Sequence, residues 1–310
     1  MNKSQIILSN AIPWILPDES LVNLPTFDMP NTVVNPPHLK LANAIFPPLL
    51  PMLIDVLGKN KHERAVISVF GGSGTGKTGA GLLVAHFLQM LGVGAYAISG
   101  DHYPHRIPKY NDAERLNIFR KSGIKNLLSK GMYNEETRIQ LTALQKKDLD
   151  ADESQPFEWL PTYLQGGDDG LRAYLGTEHE LDFTEISDII TQFKNGGDKI
   201  FLKRMGRESW ETWYEETELS HTKVLIIEWT HGGNENLKAI DIPILLWSTP
   251  AETLASRLAR QKDDGVDSPF VSRVLHIENE LLYTQGRNAK LIISRNGERI
   301  TYEQMKDDKS

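Results

Sequence analysis

Residues Gly71-Gly72-Ser73-Gly74-Thr75-Gly76-Lys77-Thr78 fit the pattern G-x-x-x-x-G-K-[ST], and no other stretch of the chain constrains its fold as strongly. Glycines at these positions let backbone N–H groups turn inward around a phosphate without Cβ clashes. Lys77 brings a point charge to β/γ-phosphates, and the Thr78 hydroxyl is suited to Mg²⁺. The context agrees with the motif. Ala65 to Phe70 reads as a buried strand and Gly79 to Leu91 as a helix, so a phosphate would sit at a helix N-terminus. A strand–loop–helix unit of this kind predicts a parallel α/β sheet.

The 310 residues are enough for one large α/β domain with an appendage. A net charge of −7 argues against general binding of nucleic acid or anionic membranes. The absence of cysteine excludes disulfides, thiol catalysis and cysteine metal sites. No window of 18 uninterrupted apolar residues occurs, so no membrane span is expected, and a cytoplasmic protein is. His102 and His105 have a metal-compatible spacing but no third ligand, so no zinc site is expected.

Residues 1–60 form a leader. Nine of the 16 prolines fall between Pro13 and Pro51, which predicts an extended first half and a broken helix over Leu39 to Leu57. The core follows over 61–300, with a C-terminal tail at 301–310. Further strands are expected at Ala95–Ser99, Lys223–Glu228, Ile242–Leu246 and Lys290–Ser294, and helices at Ala251–Gln261 and Phe270–Thr284. A long insertion, 102–221, separates the second and third strands. It should carry helices at Asp112–Leu128 and Asn134–Leu149, then a Gly-rich turn over Gln165–Gly170. A helix at Phe183–Phe193 and a short strand at Lys199–Lys203 follow. Trp210 and Trp213 are read as neighbours on one helix face. The expected fold is a doubly wound, mainly parallel sheet in three α/β/α layers, with this insertion and the N-terminal extension.

The order of several elements resembles uridine kinase, phosphoribulokinase and type I pantothenate kinase. Asp101-His102-Tyr103 follows the second strand, where those kinases carry an aspartate followed by an aromatic residue. Gly176 to Phe183, a helix, Gly196-Gly197 and a strand ending Leu202-Lys203-Arg204 are similar to their acceptor-framing segment. Ile226-Ile227-Glu228 resembles their third strand, and Arg257 to Asp263 their arginine-rich lid at 251–268. The resemblance spans about residues 64–296. It departs at Glu228-Trp229, where the family has Glu-Gly, at Arg204-Met205, where it has Tyr-Asp, and at the lid, where Gln261 and Lys262 separate arginine from aspartate.

This resemblance implies a nucleoside/nucleotide kinase-like P-loop fold and transfer of the γ-phosphoryl group of Mg-ATP to a small-molecule hydroxyl. Gly71, Gly72, Ser73, Gly74, Thr75, Gly76, Lys77, Thr78, Arg257 and Arg260 would hold ATP. Asp101 would be the base, Glu228 would orient Mg²⁺ waters or the acceptor, and Lys77 with Arg260 would neutralise developing charge. Thr78, Asp101 and Glu228 form the expected Mg²⁺ set. Gly265 is the expected hinge of the lid. Tyr103, His105, Arg106, Arg204, Arg207 and His231 are the acceptor candidates, and so many cations suggest an acceptor carrying phosphate or carboxylate. A homodimer is a further expectation. Competing readings are an ATPase switch with a protein partner and an adenylylsulfate kinase-like enzyme.

Overall fold

The computed structural model describes residues 1–15, 24, 27–29, 32–260 and 268–307. Its centre is a six-stranded sheet in the order β2-β5-β1-β6-β7-β8. The strands are β1 (Ala65–Gly71), β2 (Ala95–Ser99), β5 (Val224–Glu228), β6 (Ile242–Trp247), β7 (Leu291–Ser294) and β8 (Arg299–Ile300). All pair in parallel except β7 with β8. Every residue of β1 and β5 is buried, as expected of parallel strands covered on both faces.

Alternate residues divide between two cores. Ile67, Val69, Ile226, Ile244 and Ile293 face one cluster with α2 (Pro36–Lys59) and α3 (Lys77–Met90). Phe70, Leu245, Trp247 and Ile292 face the other, with Leu282 and Met305. Helix α7 (Phe183–Lys194) also packs on β1. The three-layer α/β/α arrangement is therefore the one read from the sequence.

The leader is not the irregular belt expected of it. A short α1 (Lys3–Asn10) precedes α2, which runs unbroken through Pro47, Pro48 and Pro51. Pro36 and Pro37 occupy its first positions, where a missing N–H costs nothing. Each interior proline costs about 3 kcal/mol. Eight large apolar side chains of α2 are buried (Leu39, Leu41, Ile45, Phe46, Leu49, Leu50, Leu53 and Leu57), at about 1.5–3 kcal/mol each, and burial wins. By length and composition alone, helix α2 could also cross a bilayer, although no run of 18 uninterrupted apolar residues lies in it. Of its apolar window 44% is buried, in the cluster that α2 shares with α3 and one face of the sheet.

Contacts divide the chain into two compact units. Unit 1 comprises 1–103, 182–249 and 282–310, and so includes the leader and part of the insertion. Unit 2 comprises 104–181 and 250–281, with α4 (Pro108–Ser129), α5 (Glu135–Gln145), α6 (Leu160–Arg172), α8 (Pro250–Arg260) and most of α9 (Pro269–Gln285).

Two local expectations are corrected. The Gly-rich stretch 165–170 is not a turn but lies inside α6. A Cβ at Gly166 would overlap Asn126, at Gly167 the Phe119 ring, and at Gly170 the Ser122 hydroxyl. These glycines let α6 approach α4 closely, and packing overrides their poor helix propensity. Trp210 and Trp213 do not share a helix. Trp213 lies in β4 (Thr212–Glu218), antiparallel to β3 (Lys199–Met205). Between these strands the Glu211 carboxylate accepts the N–H groups of Arg207 and Glu208 at 2.8 and 3.1 Å and closes the connection.

Candidate active site

The phosphate loop sits between β1 and α3, where the motif places it. Gly71, Gly74 and Gly76 have φ of +153°, +81° and +91°, a region that favours glycine. A Cβ on Gly71 would overlap the Leu246 carbonyl of β6. Gly76 caps α3 with no side-chain bond to the first turn, so that turn presents N–H groups and the positive end of the helix dipole. Lys77 is buried, and its Nζ donates to the Gly72 carbonyl at 3.1 Å. The Thr78 side chain is half-buried in the first turn.

Glu228 closes the other side. It ends β5, in register with Val69 of β1 and Ser99 of β2. Its Oε1 is 3.9 Å from Lys77 Nζ, with both side chains at least nine-tenths buried. Asp101 is exposed, in the single turn Gly100–His102 that follows β2. The phosphate loop, Glu228 and Asp101 thus lie at the carboxyl ends of β1, β5 and β2. The chain from β1 crosses over β5 to β2, and β6 lies on the other side of β1. That reversal is where open α/β sheets bind ligands.

Trp229 accounts for one departure from the Glu-Gly pattern. Its ring is buried against Gly100, where any Cβ would overlap it. The bulk added at position 229 is thus matched by its absence just before Asp101. Trp229 also meets the buried His231 edge-on at 5.6 Å and Phe183 at 5.2 Å.

The remaining acceptor candidates fall into two groups. Tyr103, Arg204, Arg207 and His231 are in unit 1. Tyr103 is fully buried, with Lys203 Nζ 6.0 Å from its ring centre, and burial raises its hydroxyl pKa. Arg204 is buried and bonded to Asp28 and Glu215. Arg207 is exposed. His105 and Arg106 are in unit 2, where the His105 N–H donates to the Glu180 carbonyl at 3.0 Å and Arg106 to the Tyr174 hydroxyl at 3.1 Å. Arg257, also in unit 2, folds onto its own helix and donates to the Pro250 carbonyl at 2.8 Å. The Arg260 side chain and Gly265 lie outside the described residues.

Sequence reasoning missed three participants. His38 of α2 packs behind the phosphate loop, where a Cβ on Gly79 would overlap its ring. Asp28 and Tyr96 join Arg204 through a Tyr96–Asp28 hydrogen bond of 2.7 Å. No local signal marks them, because a leader aspartate and a strand tyrosine acquire meaning only through the fold.

Among the described residues no group of three or more His, Cys, Asp or Glu could hold a metal ion. A Mg²⁺ ion needs no such group, because it binds through one or two protein oxygens together with water and substrate phosphates. The half-buried Thr78 hydroxyl and the Glu228 carboxylate fit that demand. The sheet order, the phosphate loop and the buried Lys77–Glu228 pair meet in one architecture. The fold is a doubly wound P-loop sheet.

No family model matches the chain. A bifunctional alpha-galactosidase/sucrose kinase from Mediterraneibacter gnavus is 38% identical over 245 residues, 79% of this chain. The chain spans only 21% of that protein's length. Among solved structures, a putative fructose transport system kinase from Silicibacter has a TM-score of 0.42 at 16% identity, covering 71% of this chain and 85% of its own. A D-glycerate 3-kinase from Cryptococcus neoformans has a TM-score of 0.46 at 12% identity, covering 86% and 98%. A possible uridine kinase from Bacillus stearothermophilus has 0.39 at 12%, covering 79% and 98%.

Proposed function

We propose that the chain transfers the γ-phosphoryl group of ATP to a hydroxyl of a small metabolite, and that this metabolite is a carbohydrate. The observation that carries the transfer is the phosphate loop with buried Lys77 and Glu228 3.9 Å apart, beside an exposed aspartate at the end of β2. The carbohydrate is suggested by the curated relative, described as a sucrose kinase in part.

Phosphoryl transfer asks for positioning and charge neutralisation more than for covalent chemistry. Asp101 accepts the proton of the acceptor hydroxyl as its oxygen bonds to phosphorus. The bond from that phosphorus to the β-phosphate oxygen breaks, and ADP leaves with the electron pair. Lys77 and the backbone N–H groups at the start of α3 stabilise the charge on the transferred group. Thr78 and Glu228 would hold Mg²⁺, which neutralises charge on the β/γ-phosphate oxygens when bound. Arg257 and Arg260, three residues apart on α8, are the candidates for lid cations over the phosphates.

The test is ADP release from Mg-ATP across a panel of sugars and other hydroxyl metabolites, with Lys77→Ala as the blank. Release that depends on one sugar, and is lost by about 10²–10³ or more in Lys77→Ala, is expected. Release indifferent to every acceptor would favour an ATPase switch and overturn the proposal.

A further inference from the structure

The N-terminal extension supplies a carboxylate to Arg204, one of the residues expected to face the acceptor. Asp28 Oδ1 is 2.7 Å from Arg204 Nη2, and Asp28 Oδ2 accepts from Nη1 at 3.0 Å. The Tyr96 hydroxyl donates to Asp28 at 2.7 Å, and Glu215 accepts from Arg204 Nε at 3.1 Å. Arg204 Nη1 also donates to the Lys203 carbonyl at 3.2 Å. The two side chains are only 9% and 1% exposed. The guanidinium fork that would recognise a phosphate or carboxylate is therefore already filled by a carboxylate of the same chain.

This cluster adjoins Asp101. The Met205 N–H, next to Arg204, donates to His102 Nδ1 at 3.1 Å, and His102 directly follows Asp101. With Nδ1 accepting, the neutral ring carries its proton on Nε2. That Nε2 is buried with no hydrogen-bond partner among the described residues.

We propose that Asp28 is a specificity-determining residue: by occupying Arg204 it selects an uncharged, hydroxyl-bearing acceptor over one that carries phosphate or carboxylate. The inference rests on the phosphotransferase reading above and sets its acceptor class. An anionic acceptor would have to take the guanidinium from Asp28 and leave that carboxylate buried and unpaired, which is costly. A hydroxyl or ether oxygen makes no such demand.

Two measurements on the full-length protein test this. In the first, wild type, Asp28→Asn and the doubly substituted Asp28→Asn/Arg204→Gln are titrated calorimetrically with sulfate, with a non-hydrolysable ATP analogue present to fill the phosphate loop. Asp28→Asn should bind sulfate about tenfold or more tightly than wild type, and the double substitution should remove the gain. A folded Asp28→Asn that binds no better, or a gain that survives Arg204→Gln, overturns the proposal. The second compares kcat/KM of the wild type for sucrose and for a sucrose phosphate whose ester leaves the phosphorylated hydroxyl free, and decides the matter if Asp28→Asn does not fold. Preference for sucrose supports the assignment, whereas preference for the phosphate ester overturns it and leaves the phosphotransferase reading standing. ADP release independent of both sugars would instead remove the phosphotransferase reading, and the sulfate titration would still report on Asp28.

Discussion

Asp101 and Glu228 end neighbouring strands, yet one is exposed and the other 4% exposed. That difference separates their proposed roles. A base must meet the acceptor, whereas a metal or phosphate partner works best out of water. Asp101→Asn is therefore expected to leave ATP affinity within about twofold while acceptor-dependent ADP release falls by about 10²–10⁴. Calorimetric ATP titration beside a turnover assay checks this, and unchanged turnover would remove Asp101 from the base role. His102 gives a pH prediction. Burial lowers its folded-state pKa, so the folded form binds the proton less readily than the unfolded chain. The stabilisation is complete above the ordinary histidine value of about 6.5 and is lost as pH falls through the lower folded-state value. The denaturation midpoint should drop on acidification below about pH 6.5, and His102→Gln should drop less over the same range.

Among the elements, α6 depends most on one residue type. Gly167→Ala gains about 1 kcal/mol of helix propensity but sets a Cβ into the Phe119 ring, and overpacking costs about 1–3 kcal/mol. Phe119 is fully buried among packed side chains, so a net loss is expected, read as a lower thermal midpoint. Gln165–Gly170 was legible as Gly-rich but not as helix, because the need for glycine comes from α4, about forty residues away in sequence. β4 was missed for a related reason. Trp213 and Tyr214 have strand propensity, but the strand is mostly exposed and lacks the apolar run that identifies a core strand. By contrast β1, β2, β5, β6 and β7 were legible to within a residue or two. Each is a short apolar run bounded by turn residues, a signal carried in the chain itself. The phosphate loop was legible as well, because its glycines are dictated by local backbone. Asp28 and Tyr96 were not, since their partner Arg204 lies more than a hundred residues further along.

At the scale of the whole molecule, the leader belongs to the core. Phe46 is fully buried, with ring centres 4.5 Å from Trp14 and 5.3 Å from Phe87 of α3. Phe46→Ala should cost about 3–5 kcal/mol, seen as a lower urea midpoint. An extension that merely decorates the domain would give almost no change. The sheet order also governs how the chain can be made. β1 takes its neighbours from β5 and β6, whose residues leave the ribosome about 160 residues later, some 8–30 s at ordinary synthesis rates. During that wait β1 is an apolar ribbon with both edges open, the kind of segment on which nascent chains aggregate. Because α1 and α2 precede β1 in the chain, they have already been made and can shelter one of its faces before its strand partners exist.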